Sequence, residues 1–279
     1  MPEISVVIPT YNRLDTLSLV LPTLLVQDLS AAQYELLVCD SNSNDGTAEF
    51  LRDVAALHPN VRHLPGAYGG RAAARNAGIE QARGEIVLFN DADIFASPDL
   101  LSVHRSRHLQ RTGIAVVGLE VQARDYEEYE YKRDHPQARG HLHPASRKRL
   151  PWLYFLTGNA SVRRTDLLRA GCFDESFTGY AADPCAELRH CQDVSHDDQK
   201  EKMRLAGRST ARFYRKHSRL DVMLNLGMTP VSLGLHSFLT RFPALLASID
   251  RRSARSRLAR ELILQYHYVS GIKEGRSGA

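Results

Sequence analysis

Three short runs, ISVVIP (Ile4–Pro9), YELLVCD (Tyr34–Asp40) and EIVLFN (Glu85–Asn90), are apolar at nearly every position instead of every second one. A strand wet on one face alternates apolar and polar residues, so runs of this kind are expected as strands buried on both faces. The segments between them carry helical spacing. Leu14, Leu17, Leu21, Leu24 and Leu25 form one such set, with Pro22 expected to kink it. TAEFLRDVAAL (Thr47–Leu57) is another, with Thr47 as its N-cap. A short strand at Val61–Leu64 precedes the Ala-rich GGRAAARNAGIEQARG, closed by Gly84. SPDLLSVHRSRHLQ has Ser97 as cap and Pro98 at the first helical position, and GIAVVGLEVQ reads as a further strand. The expected architecture is an α/β fold, a mostly parallel central sheet covered by helices.

In such sheets ligands bind beyond the carboxyl ends of the strands. The polar clusters of this half all sit at such ends: Thr10–Arg13, Asp40–Asp45 and Asn90–Asp93. Further on, residues 122–149 are charged and aromatic with little periodicity, which reads as a long loop or flap. A strand is expected near Ala160–Arg163, a short helix at Asp166–Ala170, and mainly helices from His196 onward.

The net charge of +4 is uneven, with arginine and lysine concentrated from Arg204 to the end. No DNA- or RNA-binding motif accompanies it, so nucleic acid is not an expected partner. Cys39, Cys172, Cys185 and Cys191 form no CxxC pair, which suits a reducing cytoplasm. No signal peptide is read at the start, and no apolar stretch reaches the roughly 18–20 residues of a membrane span.

Asp91 and Asp93 follow the third apolar run. In an extended segment residues two apart face one side, so the pair can converge on a cation. Mg2+ takes one or two carboxylates and completes its shell with phosphates and water. Acids are also ordinary turn residues, and Asp-x-Asp alone is a weak signal. Its context is more specific. SVVIPTYNR, CDSNSNDGT, RAAARNAGI and LFNDAD occur in this order, and together the chain resembles the family 2 glycosyltransferases of GT-A fold. The resemblance runs from about Ser5 to Asp93 and continues through TGNASVRR, GCFDESFTGY and AGRSTARFYRKH.

That resemblance implies transfer of a sugar from a nucleotide diphosphate sugar to an acceptor hydroxyl, with inversion and with Mg2+ or Mn2+. It implies that Pro9, Thr10, Tyr11, Asn12 and Arg13 border the nucleotide, and that Asp40 and Ser41 accept from its base or ribose. Arg75 and Asn76 would line the same cleft, Asp91 would touch ribose or metal, and Asp93 would be the direct metal ligand. Gly158 and Asn159 match a loop beneath the sugar, and Trp152 is a candidate to stack on it. The metal would neutralise the departing diphosphate, and a carboxylate would take the acceptor's proton.

The family pattern has Glu-Asp opening a helix, then a strand, then a histidine able to complete the metal site. Here the chain reads FTGYAADPCAELRHCQD. Either Asp183 is the base, with Ala182 in place of the usual Glu, or a segment is missing and the chain is shortened after residue 180. Pro184 disfavours helical backbone at Asp183 and favours the second alignment. His190 matches the metal-completing position. The spacing of Cys185, His190, Cys191 and His196 fits no standard zinc pattern.

The domains expected are a transferase domain over 1–195 and a basic, helical C-terminal region over 196–279. The first divides into a nucleotide-binding half, 1–118, and an acceptor half, 119–195. A basic amphipathic helix in the C-terminal region can lie at an anionic membrane surface, placing the protein at the inner face of the membrane and suiting a lipid-linked acceptor. The product would belong to a surface polysaccharide or glycolipid. Two other functions compete: a nucleotide-sugar-binding protein of the same fold without its base, and a nucleotidyltransferase. The latter lacks support, because PTYNRLD is not a Gly-rich phosphate loop.

Overall fold

Every residue of β1 (Ile4–Thr10) is buried, and its side chains divide by parity. Ile4, Val6 and Ile8 enter one apolar cluster and Val7 the other, the two-residue period of an extended chain acting on a run whose one early polar residue, Ser5, is buried as well. β2 (Tyr34–Asp40) divides alike, Leu36 and Val38 against Leu37 and Cys39. So does β4 (Ile86–Asn90), Ile86 and Leu88 against Val87 and Phe89. The first face is covered by α1 (Leu14–Leu25), α2 (Thr47–Leu57) and α4 (Leu100–Gln110), through Leu17, Leu21, Leu51 and Leu101. The second is covered by α3 (Arg71–Gln81) and α6 (Arg164–Ala170), through Ala74, Ile79 and Leu167. Leu88 and Phe89 are wholly buried, and side chains of this size contribute roughly 1.5–3 kcal/mol each when removed from water.

This computed structural model describes residues 1–118, 126–135, 155, 157–175, 196–218, 220–253 and 255–277. Among these, β3 (Val61–Pro65), β5 (Ala115–Val117) and β6 (Asn159–Arg163) complete a six-stranded sheet of order β3-β2-β1-β4-β6-β5. β1 pairs in parallel with β2 and β4, and β3 in parallel with β2. β6 runs antiparallel to both β4 and β5. The mostly parallel, helix-covered sheet expected from the sequence is the observed one. Strand order reverses between β1 and β4, which opens a crevice beyond their carboxyl ends. The register brings Thr10 opposite Asp40, and β6's reversed direction brings its first residue, Asn159, opposite Asn90.

Several local expectations are corrected. Gly46, left-handed at φ 95°, caps α2, while Thr47 is its first helical residue and donates its N–H to the Asp45 carboxylate at 3.1 Å. α3 ends at Gln81 with extended Ala82, so Gly84 does not close it. Gly84 instead passes so close to β1 that a Cβ would stand 2.6 Å from the Ser5 nitrogen. α4 starts at Leu100 behind Asp99, two residues later than Ser97 and Pro98 suggest. Of GIAVVGLEVQ, Ala115–Val117 form β5 and residues 119–122 lie outside the described residues, while within the stretch read as a loop a helix forms, α5 (Tyr126–Asp134).

The described residues fall into two compact units, the first reaching Glu175 and the second beginning at His196. The second contains α7 (His196–Lys216), α8 (Leu220–Asn225), α9 (Pro230–Arg241), α10 (Pro243–Ser253) and α11 (Arg257–Ser277). α7 and α11 meet backbone to backbone: a Cβ on Gly207 would strike the Tyr268 carbonyl, one on Gly271 the Arg204 carbonyl, and one on Gly275 the Arg208 carbonyl. Arg204 and Arg208 both donate to Glu274, at 2.7 and 2.8 Å. The Tyr268 hydroxyl donates to the Leu226 carbonyl at 2.8 Å, which leaves its oxygen to accept from Thr210 at 2.8 Å. No described helix is long and apolar enough to cross a membrane.

Candidate active site

β1 ends on Pro9 and Thr10, both buried, and the chain then turns at Asn12 with a left-handed φ of 49°. Asn12 ties this turn to the loop after β2. Its N–H donates to Ser43 Oγ at 2.8 Å and its side-chain oxygen accepts the Asn44 N–H at 2.9 Å. The Thr10 carbonyl takes the Ser41 N–H at 3.0 Å. Asp45 reaches back to accept the Leu14 N–H at 3.0 Å. Burial works against its charge, but the N–H groups of Leu14 and Thr47 and the Thr47 hydroxyl outweigh it and hold this carboxyl below the usual range. The two strand-end loops are therefore one braced unit. Tyr11 stands out from it, 59% exposed, and Arg13 precedes α1 without a side-chain cap.

Asp40, the last residue of β2, is 1% exposed. Its Oδ1 accepts from the Ser43 N–H at 3.2 Å and from the Ser43 hydroxyl. Its Oδ2 has no hydrogen-bond partner, with His63 Nε2 on β3 standing 3.4 Å away, itself buried and unpartnered. Thr10 Oγ1, Arg75 Nε and Asn90 Oδ1 are likewise buried without partners. His63 carried no cue in the sequence, since nothing in a short strand reading foretold that β3 would set its imidazole beside Asp40.

Arg75 is 5% exposed, although a lone helical arginine would ordinarily be a solvated one. Gly78, one turn on, explains how α3 sits low enough on the sheet: a Cβ there would collide with the Val7 side chain. Arg75 Nη2 donates to Asp91 Oδ1 at 2.7 Å, and its guanidinium lies 5.8 Å from the centre of the Phe173 ring. The neighbouring Asn76 is occupied otherwise. Its amide donates to the Phe173 carbonyl at 2.9 Å and to Glu175 at 2.8 Å, and it accepts the Phe173 N–H at 2.9 Å. Asn76 thus fastens the 173–175 segment, and that segment carries the ring beside Arg75.

The carboxylates after β4 do not lie on an extended segment. The strand stops at Asn90, whose side-chain amide donates to the carbonyls of Asp91 and Ile94 at 2.9 and 3.0 Å. The Ile94 N–H closes a turn onto the Asp91 carbonyl at 3.1 Å. Asp91 and Asp93, both half-buried, lie in that turn, so strand alternation does not set the directions of their side chains. Among the described residues no group of three or more His, Cys, Asp or Glu side chains is gathered.

Gly158 and Asn159 reach this edge of the sheet through the β4–β6 register, and both are buried. Asn159 Oδ1 accepts from His104 Nε2 at 2.9 Å. His104 Nδ1 must then be the acceptor for the Ser161 hydroxyl at 2.7 Å, and Ser161 Oγ accepts from His108 Nε2 at 2.8 Å. That chain of bonds defines His104 as a neutral imidazole, with His108 one turn on along α4 donating into the same network. Burial pushes the His104 pKa down to about 4, against the opposing Asn159 bond, and lowers that of His108. The i, i+4 spacing of these histidines was the available sequence signal. Trp152, Asp183 and His190 lie outside the described residues, as do Cys185 and Cys191; Cys39 and Cys172 are free thiols.

Comparison with known proteins identifies the family of the chain and its fold. The uncharacterized glycosyltransferase YfnE of Bacillus subtilis is 26% identical over 223 residues, 63% of this chain and 57% of its own length. Validoxylamine A glucosyltransferase of Streptomyces hygroscopicus subsp. jinggangensis is 30% identical over 213 residues, 66% of this chain and 50% of its own. The chain thus spans about half the length of the curated relatives it matches. Among solved structures, the mannosyltransferase PcManGT from Pyrobaculum calidifontis, in complex with GDP-Man and Mn2+, superposes with a TM-score of 0.68 at 20% identity, covering 99% of this chain and 87% of that one. This likeness shows the GT-A fold. The profile described as Glycosyl transferase family 2 matches residues 5–171, from the second residue of β1 to the glycine after α6, and over that majority of its length the chain belongs to glycosyl transferase family 2.

Proposed function

We propose that this glycosyltransferase binds a nucleoside diphosphate sugar at the carboxyl ends of β1, β2 and β4 and passes the sugar, with inversion, to an acceptor hydroxyl. The observation that carries the reading is the set of buried atoms with unused hydrogen-bonding capacity there: Thr10 Oγ1, Asp40 Oδ2, His63 Nε2, Arg75 Nε and Asn90 Oδ1. Leaving such groups unpaired costs about 1–3 kcal/mol each, a cost that a polar ligand removes. Asp40 suits an N–H of the base or a ribose hydroxyl, within the wall made by Pro9, Thr10, Tyr11, Asn12, Arg13 and Ser41. Arg75 suits the diphosphate, since a guanidinium offers a planar fork to phosphate oxygens.

A divalent cation fits the turn after β4. Asp91 and Asp93 are hard oxygen donors there, and Asp91 already answers a positive charge in Arg75. Mg2+ or Mn2+ would be held by Asp93 with Asp91, and by His190; when bound it supplies charge that neutralises the departing diphosphate. Deprotonation of the acceptor is assigned to a carboxylate, with Asp183 the candidate, and Gly158, Asn159 and Trp152 are assigned to the sugar and acceptor side. We assign residues 1–195 to the transferase domain and a saccharide or lipid-linked acceptor, for surface polysaccharide or glycolipid, to the reaction.

Asp93→Ala is expected to abolish the Mn2+-dependent part of nucleotide binding, read by calorimetry with and without metal. Unchanged affinity in both conditions would overturn the metal assignment. With labelled donors, the wild-type chain should give acceptor glycosylation. Donor binding with neither transfer nor hydrolysis would favour the second reading, a binding protein lacking its base. Parental activity in Asp183→Asn would remove Asp183 from the reaction.

A further inference from the structure

Helix α9 has two apolar faces, one covered and one exposed. One is covered: His236 and Leu239 are buried, and His236 bonds Ser270 at 2.9 Å and stacks on Tyr266, ring centres 4.6 Å apart, both on α11. The other carries Val231, Leu235, Phe238 and Phe242, exposed at 80, 37, 50 and 48%. Their spacing of four, three and four residues places them in a single row along the helix. The Phe238 and Phe242 rings lie 4.9 Å apart at the surface, and Leu245, three residues on in α10, is exposed as well. Single apolar residues are ordinary on a protein surface, whereas a contiguous row is not.

The charges around the row say what it meets. From Val222 to Arg260 the chain holds six arginines, Arg241, Arg251, Arg252, Arg255, Arg257 and Arg260, no lysine, and one acid, Asp250. That one acid is already paired with Lys200 at 2.9 Å. Arg241, three residues beyond Phe238, borders the row, and Arg251 and Arg252 are exposed in the last turn of α10. We propose that the exposed face of α9 and α10 seats this protein on an anionic lipid bilayer, with Val231, Leu235, Phe238 and Phe242 entering the acyl boundary and the arginines meeting headgroup phosphates. The two chemistries of such a surface, apolar below and anionic above, match an apolar row with a guanidinium border. A second copy of the chain fits worse. Two-fold pairing of this face would bring the arginines of both copies together with no acid to answer them. The helices would lie along the surface, since no described helix is long and apolar enough to cross.

The test is sedimentation of the full chain with sucrose-loaded vesicles of phosphatidylglycerol and phosphatidylcholine, and with phosphatidylcholine alone. Wild-type protein should pellet with the mixed vesicles, far less with phosphatidylcholine, and less as salt rises. Phe238→Ser with Phe242→Ser should lower partitioning by about tenfold or more; both side chains are exposed, so the melting temperature should not move. Arg251→Gln with Arg252→Gln should weaken binding to the mixed vesicles by about tenfold at low salt and flatten the salt dependence. Wild-type protein left in the supernatant with the mixed vesicles at low salt would overturn the proposal. So would phenylalanine variants that bind as wild type. A dimer that these variants dissolve, without vesicle binding by wild type, would assign the face to self-association instead. None of these readouts depends on sugar transfer.

Discussion

The two ends of the parallel sheet are made by the same strands, yet they treat buried polar groups in opposite ways. At the amino-terminal end Glu35, 4% exposed, accepts from the Ser5 hydroxyl and the Arg83 N–H at 2.7 Å each and from Arg62 at 3.0 Å. Ser5 Oγ in turn accepts the Gly84 N–H at 2.8 Å. At the carboxyl end Thr10, Asp40, Arg75 and Asn90 are buried as deeply, and each keeps an atom without a partner. Asn60 Nδ2 and Arg163 Nε are unpartnered near the other end, but with His63 five of the nine such side-chain atoms among the described residues belong to the carboxyl side of β1 to β4. Depth of burial therefore does not distinguish scaffold from site. What distinguishes them is whether the hydrogen-bonding capacity has been used.

Substitutions at the two ends of the sheet should separate these roles. Glu35→Ala should have the largest effect, a loss of about 3–5 kcal/mol in urea unfolding, because the Ser5 hydroxyl and the Arg83 N–H lose their acceptor, at about 1–3 kcal/mol each, while half-buried Arg62 keeps only Gln81. Nucleotide affinity per folded molecule should not change. A stability loss as small as that of a surface substitution would show the amino-terminal network to be dispensable.

The histidine network extends the comparison to β6. His104 has a folded pKa of about 4 against an ordinary 6.5, so in that interval the unfolded chain binds the extra proton. Its contribution is complete above pH about 6.5 and is lost as pH falls towards 4, about 3 kcal/mol over the window. Urea midpoints measured across this range should slope less in His104→Asn; an identical slope would assign the acid sensitivity elsewhere. Asp40→Asn should weaken nucleotide binding by about tenfold while stability moves by less than about 1 kcal/mol. The smallest pair is the sharpest. Ser5→Ala should cost about 1–2 kcal/mol, whereas Thr10→Val, which removes an unpartnered hydroxyl, should be neutral or stabilising by up to about 1 kcal/mol. Equal losses in the two variants would erase the distinction between the ends.

Much of the fold was legible because buried parallel strands have a local signature: Ile4–Ile8, Tyr34–Cys39 and Ile86–Phe89 need no distant residue to be read. The strand-end clusters were legible for the same reason. What escaped depends on partners far along the chain. Arg75 is buried because Asp91 and Phe173 receive it, and neither is visible from RAAARNAGI. His63 faces Asp40 only because β3 joins β2 in a particular register. α5 escaped for the opposite reason: apart from three tyrosines its residues are charged, so no apolar period announces it, although Glu128 and Lys132 pair along it at 2.9 Å. The Asp91–Asp93 pair was found by a spacing rule for strands, and the structure holds it on a turn that Asn90 closes.

The contact of α7 with α11 through Gly207, Gly271 and Gly275 has a consequence for descent. At these three positions any side chain must fall on a main-chain carbonyl, which no neighbouring change can trim away. Drift in the C-terminal unit is therefore confined to its outer faces. The exposed positions of α9 and α10, Val231 and Phe238 among them, are freer to change than these three glycines, and with them the surface on which the unit can rest.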